Sequence, residues 1–222
     1  MKQRLDSIIK KLKVKVQKFF GNDKSGHSID HLERTLKYAT FLQSKEGGDL
    51  IVIGISAFIH DIHRIMSDEL GRYVSPEESL PVVEEFIADI RLTNEQKDHI
   101  LLAVKHHEDY NFSGGEKAHD IESKIVQDAD NLDAIGAFGL VRVLKYGINY
   151  NLLEYDPNTP LYNNEYVEGT RDASTIHHIH NKLMRLGDYM NTKTAHHIAK
   201  NKTKILKDFV DMYIKEFNGE FE

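Results

Sequence analysis

The chain has 222 residues, 40% of them hydrophobic, no cysteine, a formal net charge of -6 and a pI near 6.1. That length suffices for one large domain with its own core, and the missing cysteines exclude disulfides, thiolate metal sites and a cysteine nucleophile, which suits the cytoplasm. The acidic balance argues against a nucleic-acid partner but leaves room for a small anionic substrate held by a metal and a few cations.

In chain order, Leu5, Ile8, Ile9, Leu12, Val16, Phe19 and Phe20 fall at helical spacing within residues 4–20, and Gly21 follows as a stop. Charges interrupt this stretch every few residues, unlike the apolar core of a signal peptide. A second helix is predicted from about Asp30 to Glu46, ended by Gly47-Gly48. A third, from about Asp49 to Ile65, is apolar nearly all round, as in a helix buried inside a domain. Its longest apolar run, Ile51 to Ile59, is far short of the ~20 residues a membrane span needs, so no membrane partner is expected. Ser75-Pro76-Glu77-Glu78 opens a helix: Ser75 caps, Pro76 fits the first turn and Glu78 completes a capping box. Thr93-Asn94-Glu95-Gln96 repeats the signal for a helix running to about Tyr110. A loop over 111–120 precedes a long helix from Ile121 to about Tyr146, with Gly136 and Gly139 permitting close packing. Residues 150–170, with Pro157 and Pro160, are irregular, and two helices follow at about 172–188 and 193–217. The pattern holds no alternating strand, repeat or linker. The expected architecture is therefore all-α, a single-domain helical bundle over 1–222.

Thirteen histidines stand out, because histidine is the commonest metal ligand and a frequent acid or base. His60 and Asp61 end the most apolar helix, where an unpaired carboxylate costs several kcal/mol and a bound cation removes that cost. A water-exposed helix end is the bland alternative. His31, near the start of the second helix, and Asp130, inside another largely apolar helix, add two further metal-type ligands. Two imidazoles and two carboxylates suit Mn, Fe, Co, Ni or Zn, with Mg an option, and four protein ligands on an octahedral ion leave positions for water and substrate.

His31, then His60-Asp61, then Asp130 resembles the ordered H…HD…D signature of the HD-domain phosphohydrolase superfamily. The segments GHSIDHLERTLKYA, AFIHDI, QDADNLDAIGAFGLVRVLKYG and STIHHIHNKLMRLGDYMNTKTAHHIA resemble those of a small single-domain subgroup, so the likeness runs from about residue 19 to 217. It implies an HD-type helical fold, a divalent metal with Mn preferred, and hydrolysis of a phosphate compound. For some members of that subgroup the substrates are nucleoside triphosphates, cleaved to monophosphate and pyrophosphate. Two departures narrow the expectation. Alarmone hydrolases of the superfamily carry Glu-Asp where this chain has Arg64 and Ile65. Cyclic-dinucleotide phosphodiesterases use further histidines for a second metal. VKHHEDYNFSGG is similar to their HHE segment, but the following Gly-Tyr-Pro is missing and Ser75-Pro76 stands where His-Pro is expected, so one protein-held metal is expected.

Other residues are assigned roles as expectations. Asp61 serves the chemistry as well as the metal. His106 and His107 end an apolar helix, as a general acid for the leaving group or a phosphate contact, against the bland reading of a solvated helix end. Asp133, one turn after Asp130, orients a ligand or water, or caps a helix. Arg34, His178 and Lys182 are substrate-binding candidates, the last two by the resemblance of their segment. His27 and Asp30 are close enough in sequence to orient His31. His177, His180, His196 and His197 read as exposed polar positions on amphipathic helices. The competing readings are a nucleotidase or phosphodiesterase using the same site, a non-catalytic nucleotide sensor, and an iron oxygenase. The expected partner is a small phosphate compound, a nucleotide, and a homodimer is one option for the assembly.

Overall fold

In a computed structural model of the chain, α1 (Lys2–Phe20) turns Leu5, Ile8, Leu12 and Val16 inward, the stripe its helical spacing demands. The structure describes residues 1–20, 28–109, 118, 120–161 and 172–221. They form two units, Met1–Asp130 and Asn131–Glu222, with the division falling inside α7 (Ile121–Ala134). Regular structure among the described residues is helical, beside an isolated bridge between Leu153 and Ser174.

The first unit is organised around α3 (Leu50–Ile59), in which every residue from Ile51 to Ile59 is buried. α1, α2 (Ile29–Glu46) and α6 (Asn94–His106) all pack on it. Gly54 permits close approach, since a methyl there would sit 2.6 Å from the Leu5 side chain. Asp49 caps α3 through the amides of Ile51 and Val52, at 2.7 and 3.4 Å. The window Leu50–Leu70 has the hydropathy of a membrane span, yet 78% of it is buried inside the protein, as in a core helix.

The helix predicted over 49–65 is not continuous. α3 stops at Ile59 and α4 (Ile62–Leu70) begins at Ile62, leaving His60 and Asp61 as the residues of the break. Asp61 at φ -87° and ψ 14° lies in the sparsely populated bridge region, which ends the α-helical ladder. The Ser75–Glu78 capping box is present, with the Glu78 amide donating to Ser75 Oγ at 3.2 Å and the Ser75 amide to Glu78 Oε1 at 3.3 Å. It opens a 3₁₀ turn, Glu77–Ser79, ahead of α5 (Leu80–Ile87). Thr93 and Gln96 form the second capping box as expected, and α6 ends at His106, four residues short of Tyr110, which lies outside the described residues.

The predicted long helix from Ile121 is also broken. Ile135 is extended and Gly136 adopts φ +75°, a conformation that favours glycine, before α8 (Gly136–Asn149) resumes. The Lys202 ammonium donates to the Ile135 carbonyl at 3.0 Å, satisfying an acceptor at the break. α8 packs on α11 (Lys193–Asn218). The helix predicted over 172–188 is four short pieces: α9 (Thr175–His178), a π turn (Ile179–Leu183), α10 (Met184–Leu186) and a 3₁₀ turn (Gly187–Tyr189).

Candidate metal centre

Four side chains from separate elements meet in the first unit. His31 comes from the first turn of α2, His60 and Asp61 from the α3–α4 break, and Asp130 from α7. All are buried, Asp130 the least, at 8% exposure. His31 Nε2 lies 3.2 Å from His60 Nε2, 3.1 Å from Asp61 Oδ2 and 3.3 Å from Asp130 Oδ1. His60 Nε2 lies 3.4 and 3.6 Å from the same two oxygens. Bonds of ~2.1 Å to one ion put adjacent donor atoms ~3.0–3.4 Å apart in octahedral or tetrahedral geometry. The spacings between the two nitrogens, and from each nitrogen to the two oxygens, match such edges. His31, His60 and Asp61 form a mutually close group, Asp130 joins it through the two histidines, and two imidazole nitrogens with carboxylate oxygens suit a divalent ion.

The imidazoles are aimed from behind. His60 Nδ1–H donates to the Ala57 carbonyl at 3.0 Å, and His31 Nδ1 is 3.4 Å from Thr35 Oγ1. Both contacts turn Nε2 inward. Burial pushes the His60 pKa down, but Asp61 and Asp130 outweigh it and hold the group above its ordinary 6.5. Burial pushes the Asp130 carboxyl up, but hydrogen bonds from His31 and His60 and their charges hold it well below 3.8. In the metal-free protein, His60 protonation therefore stabilises the fold fully below pH 6.5, and that contribution is lost as pH rises through the raised folded value. A metal needs the neutral ring. Calorimetric titration should accordingly show metal affinity falling roughly tenfold per pH unit below the raised value.

His107 belongs to the same neighbourhood. It is fully buried, its Nδ1–H donates to the Val104 carbonyl at 2.6 Å, and its Nε2 has no hydrogen-bond partner, with Asp61 Oδ1 3.9 Å away. Burial above all, with the charges of His60 and His63, lowers its pKa to about 4. With the proton on Nδ1, a neutral ring presents a lone pair at Nε2, where it can accept a hydrogen bond. His106, by contrast, points to Asp109 at the partly exposed end of α6 and is not among the gathered residues.

The sequence reading missed His63 and Glu108. Asp61, His63, His107 and Glu108 form a second buried group whose ligand atoms lie within 4.8 Å of one another. His63 Nε2 is 3.1 Å from Glu108 Oε2, and the Arg64 guanidinium is bound to the other Glu108 oxygen. Arg64 thus already supplies a positive charge there, which makes this group a poorer cation site than the first. HDIHR and KHHED were the available signals, a histidine one turn past His60 and a glutamate beside the paired histidines. A third group, His99, Asp120 and Glu122, has its carboxylates engaged at helix starts: Glu122 accepts from the Asp49 amide at 2.8 Å and Asp120 from the Ser123 amide at 2.8 Å.

Arg34 is half-buried one turn after His31, Asp30 is exposed, and His27 lies outside the described residues. In the second unit Asp133 is buried and paired with Arg142 at 2.9 Å. His178 binds Asp172 at 2.7 Å, and Lys182 is 8% exposed. His196 and His197 are exposed as expected, but His177 is not: it is buried between Ser174 Oγ at 2.7 Å and the Thr159 carbonyl at 3.0 Å.

The HD domain family model matches residues 28–135, the stretch that carries all four gathered ligands. A solved structure from Lactobacillus plantarum superposes with a TM-score of 0.82 at 27% identity, covering 99% of each chain. An HD-superfamily hydrolase from Bacillus thuringiensis is 31% identical, covering 97% of this chain and 98% of its own, with a TM-score of 0.69. Bacillus subtilis YpgQ, solved in complex with ADP, is 26% identical over 96% of this chain and 95% of its own, with a TM-score of 0.66. The ordered ligands, the helical fold and these relatives together place the chain in the HD-domain phosphohydrolase superfamily, as a metal-dependent hydrolase.

Proposed function

We propose that the chain hydrolyses nucleoside triphosphates to the monophosphate and pyrophosphate, with one divalent ion, Mn²⁺ by preference, held by His31, His60, Asp61 and Asp130. The observation that carries this reading is the spacing of the donor atoms, 3.1 to 3.6 Å between the histidine nitrogens and the two carboxylates. The nucleotide is supported by the ADP bound to YpgQ, and the triphosphate by the resemblance of four segments to the pyrophosphohydrolase subgroup. We read the two units as serving one domain, because α7 runs through their division without a linker.

When bound, the ion supplies Lewis acidity, lowering the pKa of water and drawing charge from a phosphoryl oxygen. The protein's own groups do the rest. His31 and His60 are oriented through Nδ1 and Asp130 is kept ionised. His107 Nε2 accepts a hydrogen bond from the attacking water and orients it. Burial of these groups excludes bulk water and strengthens each electrostatic contact. Arg34, His178 and Lys182 are the residues assigned to substrate phosphate, and Asp133, paired with Arg142, is an orienting group.

The test is a nucleotide panel with Mn²⁺, Mg²⁺, Co²⁺, Ni²⁺, Fe²⁺ or Zn²⁺ and identification of both products. Stoichiometric pyrophosphate and monophosphate are expected. Orthophosphate alone, or cleavage confined to monophosphates or cyclic nucleotides, would replace this reading with a nucleotidase or phosphodiesterase.

A further inference from the structure

The second unit carries a polar cluster centred on a carboxylate that nothing above uses. The helix starting at Thr175 changes at Ile179 into a π turn that runs to Leu183. Such turns are rare and recur where a helix must aim side chains at a ligand. This one holds Asn181 and Lys182, 7% and 8% exposed, directly after His178. A lysine so buried is costly unless its charge is answered.

Asp172 answers it. Asp172 Oδ2 accepts from His178 Nδ1–H at 2.7 Å, and Oδ1 accepts from Asn181 Nδ2 at 3.0 Å. Burial pushes the Asp172 carboxyl up, but the His178 hydrogen bond and charge, the Asn181 amide and the Lys182 charge hold it below its ordinary value. The Tyr146 ring stacks on the His178 ring with centroids 5.8 Å apart. His178 is thereby fixed in position, with Nδ1 on Asp172 and Nε2 directed away from it.

We propose that Asp172 is a positioning residue for phosphate binding: it holds His178 through Nδ1 so that His178 Nε2 and Lys182, one turn further along the π turn, present one oxyanion-binding face. The carboxylate balances the imidazolium charge at Nδ1 while Nε2–H donates to a phosphate oxygen, a charge-assisted bond. An asparagine at this position keeps the size and the contact but removes that balancing charge. The inference rests on the proposed function only for the identity of the substrate.

The experiment uses the full-length, Mn²⁺-loaded protein. Calorimetry with pyrophosphate as probe should show Asp172→Asn binding it about tenfold more weakly, with KM for a triphosphate raised alike and kcat within about threefold. The ¹⁵N resonance of His178 Nδ1 should move in the same variant. Asp172→Glu should recover part of the affinity. In a His178→Gln background Asp172→Asn should add no further loss, because both changes remove one interaction. Unchanged pyrophosphate affinity in folded Asp172→Asn, or fully additive losses with His178→Gln, overturns the proposal. If Asp172→Asn does not fold, His178→Gln decides, and less than about a threefold loss of pyrophosphate affinity overturns it. A wild type that binds pyrophosphate in this Asp172-dependent way yet releases none from any triphosphate overturns the substrate assignment and supports the positioning role.

Discussion

Replacing Asp61 with alanine is expected to strip the metal and lower kcat/KM by at least about a thousandfold, roughly 4 kcal/mol of transition-state stabilisation. One carboxylate serves two groups here: Oδ2 lies 3.1 Å from His31 Nε2 and 3.4 Å from His60 Nε2, while Oδ1 faces the orphaned His107 Nε2 at 3.9 Å. The loss removes a ligand and the anion that keeps the His60 pKa raised. The fold should survive, because Asp61 sits at the break between two helices and makes no side-chain capping bond. Elemental analysis of the purified variant, beside its turnover and circular dichroism, checks this. Full activity with metal retained would refute the ligand assignment.

Glu108→Gln is expected to cost about 3 kcal/mol of stability near neutral pH, the scale for removing one partner of a buried ion pair. Glu108 is 7% exposed and holds both the Arg64 guanidinium and His63 Nε2. Burial pushes its carboxyl up, but Arg64 and His63 bring it well below 4.5. The stabilisation is therefore complete above the unfolded carboxylate value and is lost as pH falls through the depressed folded one. Urea unfolding of both proteins should show a wide gap near neutrality that closes in strong acid. An equal gap at every pH would mean that the glutamate acts by packing alone.

Local physics made most of the helices legible. Thr93 and Gln96 announce α6 because a capping box is an arrangement of neighbours, and α3 announces itself as a core helix by being apolar on every side. The breaks were not legible. Nothing in the spacing around His60-Asp61 or Ile135-Gly136 interrupts the 3.6-residue period, and the extended Ile135 is accommodated by Lys202, 67 residues away. The π turn at Ile179–Leu183 escaped for the same reason. His31, His60, Asp61 and Asp130 could be singled out because polar groups on apolar helices demand an explanation, and the structure sets the two histidine nitrogens 3.1 to 3.6 Å from the two carboxylates. His63 and Glu108 were passed over despite their positions beside His60-Asp61 and His106-His107, because each looks like a solvated helix-end residue until the pairing across 45 residues is seen. His106 and His107 are adjacent and chemically identical, and only the direction of the helix end separates the buried one from the partly exposed one.

The packing of α1 on α3 bears on how the chain can be cut. The family match begins at residue 28, after α1 has ended, yet Leu5, Ile8, Leu12 and Val16 are part of the same buried cluster as Ile51, Ile55 and Phe58. A shortened chain chosen by sequence similarity would keep every metal ligand and lose the cover over the hydrophobic helix that positions two of them. Its product would be a sticky fragment that aggregates on expression, and a failed assay on it would say nothing about the catalyst. The recognisable motif and the smallest piece able to fold are different lengths of this polypeptide.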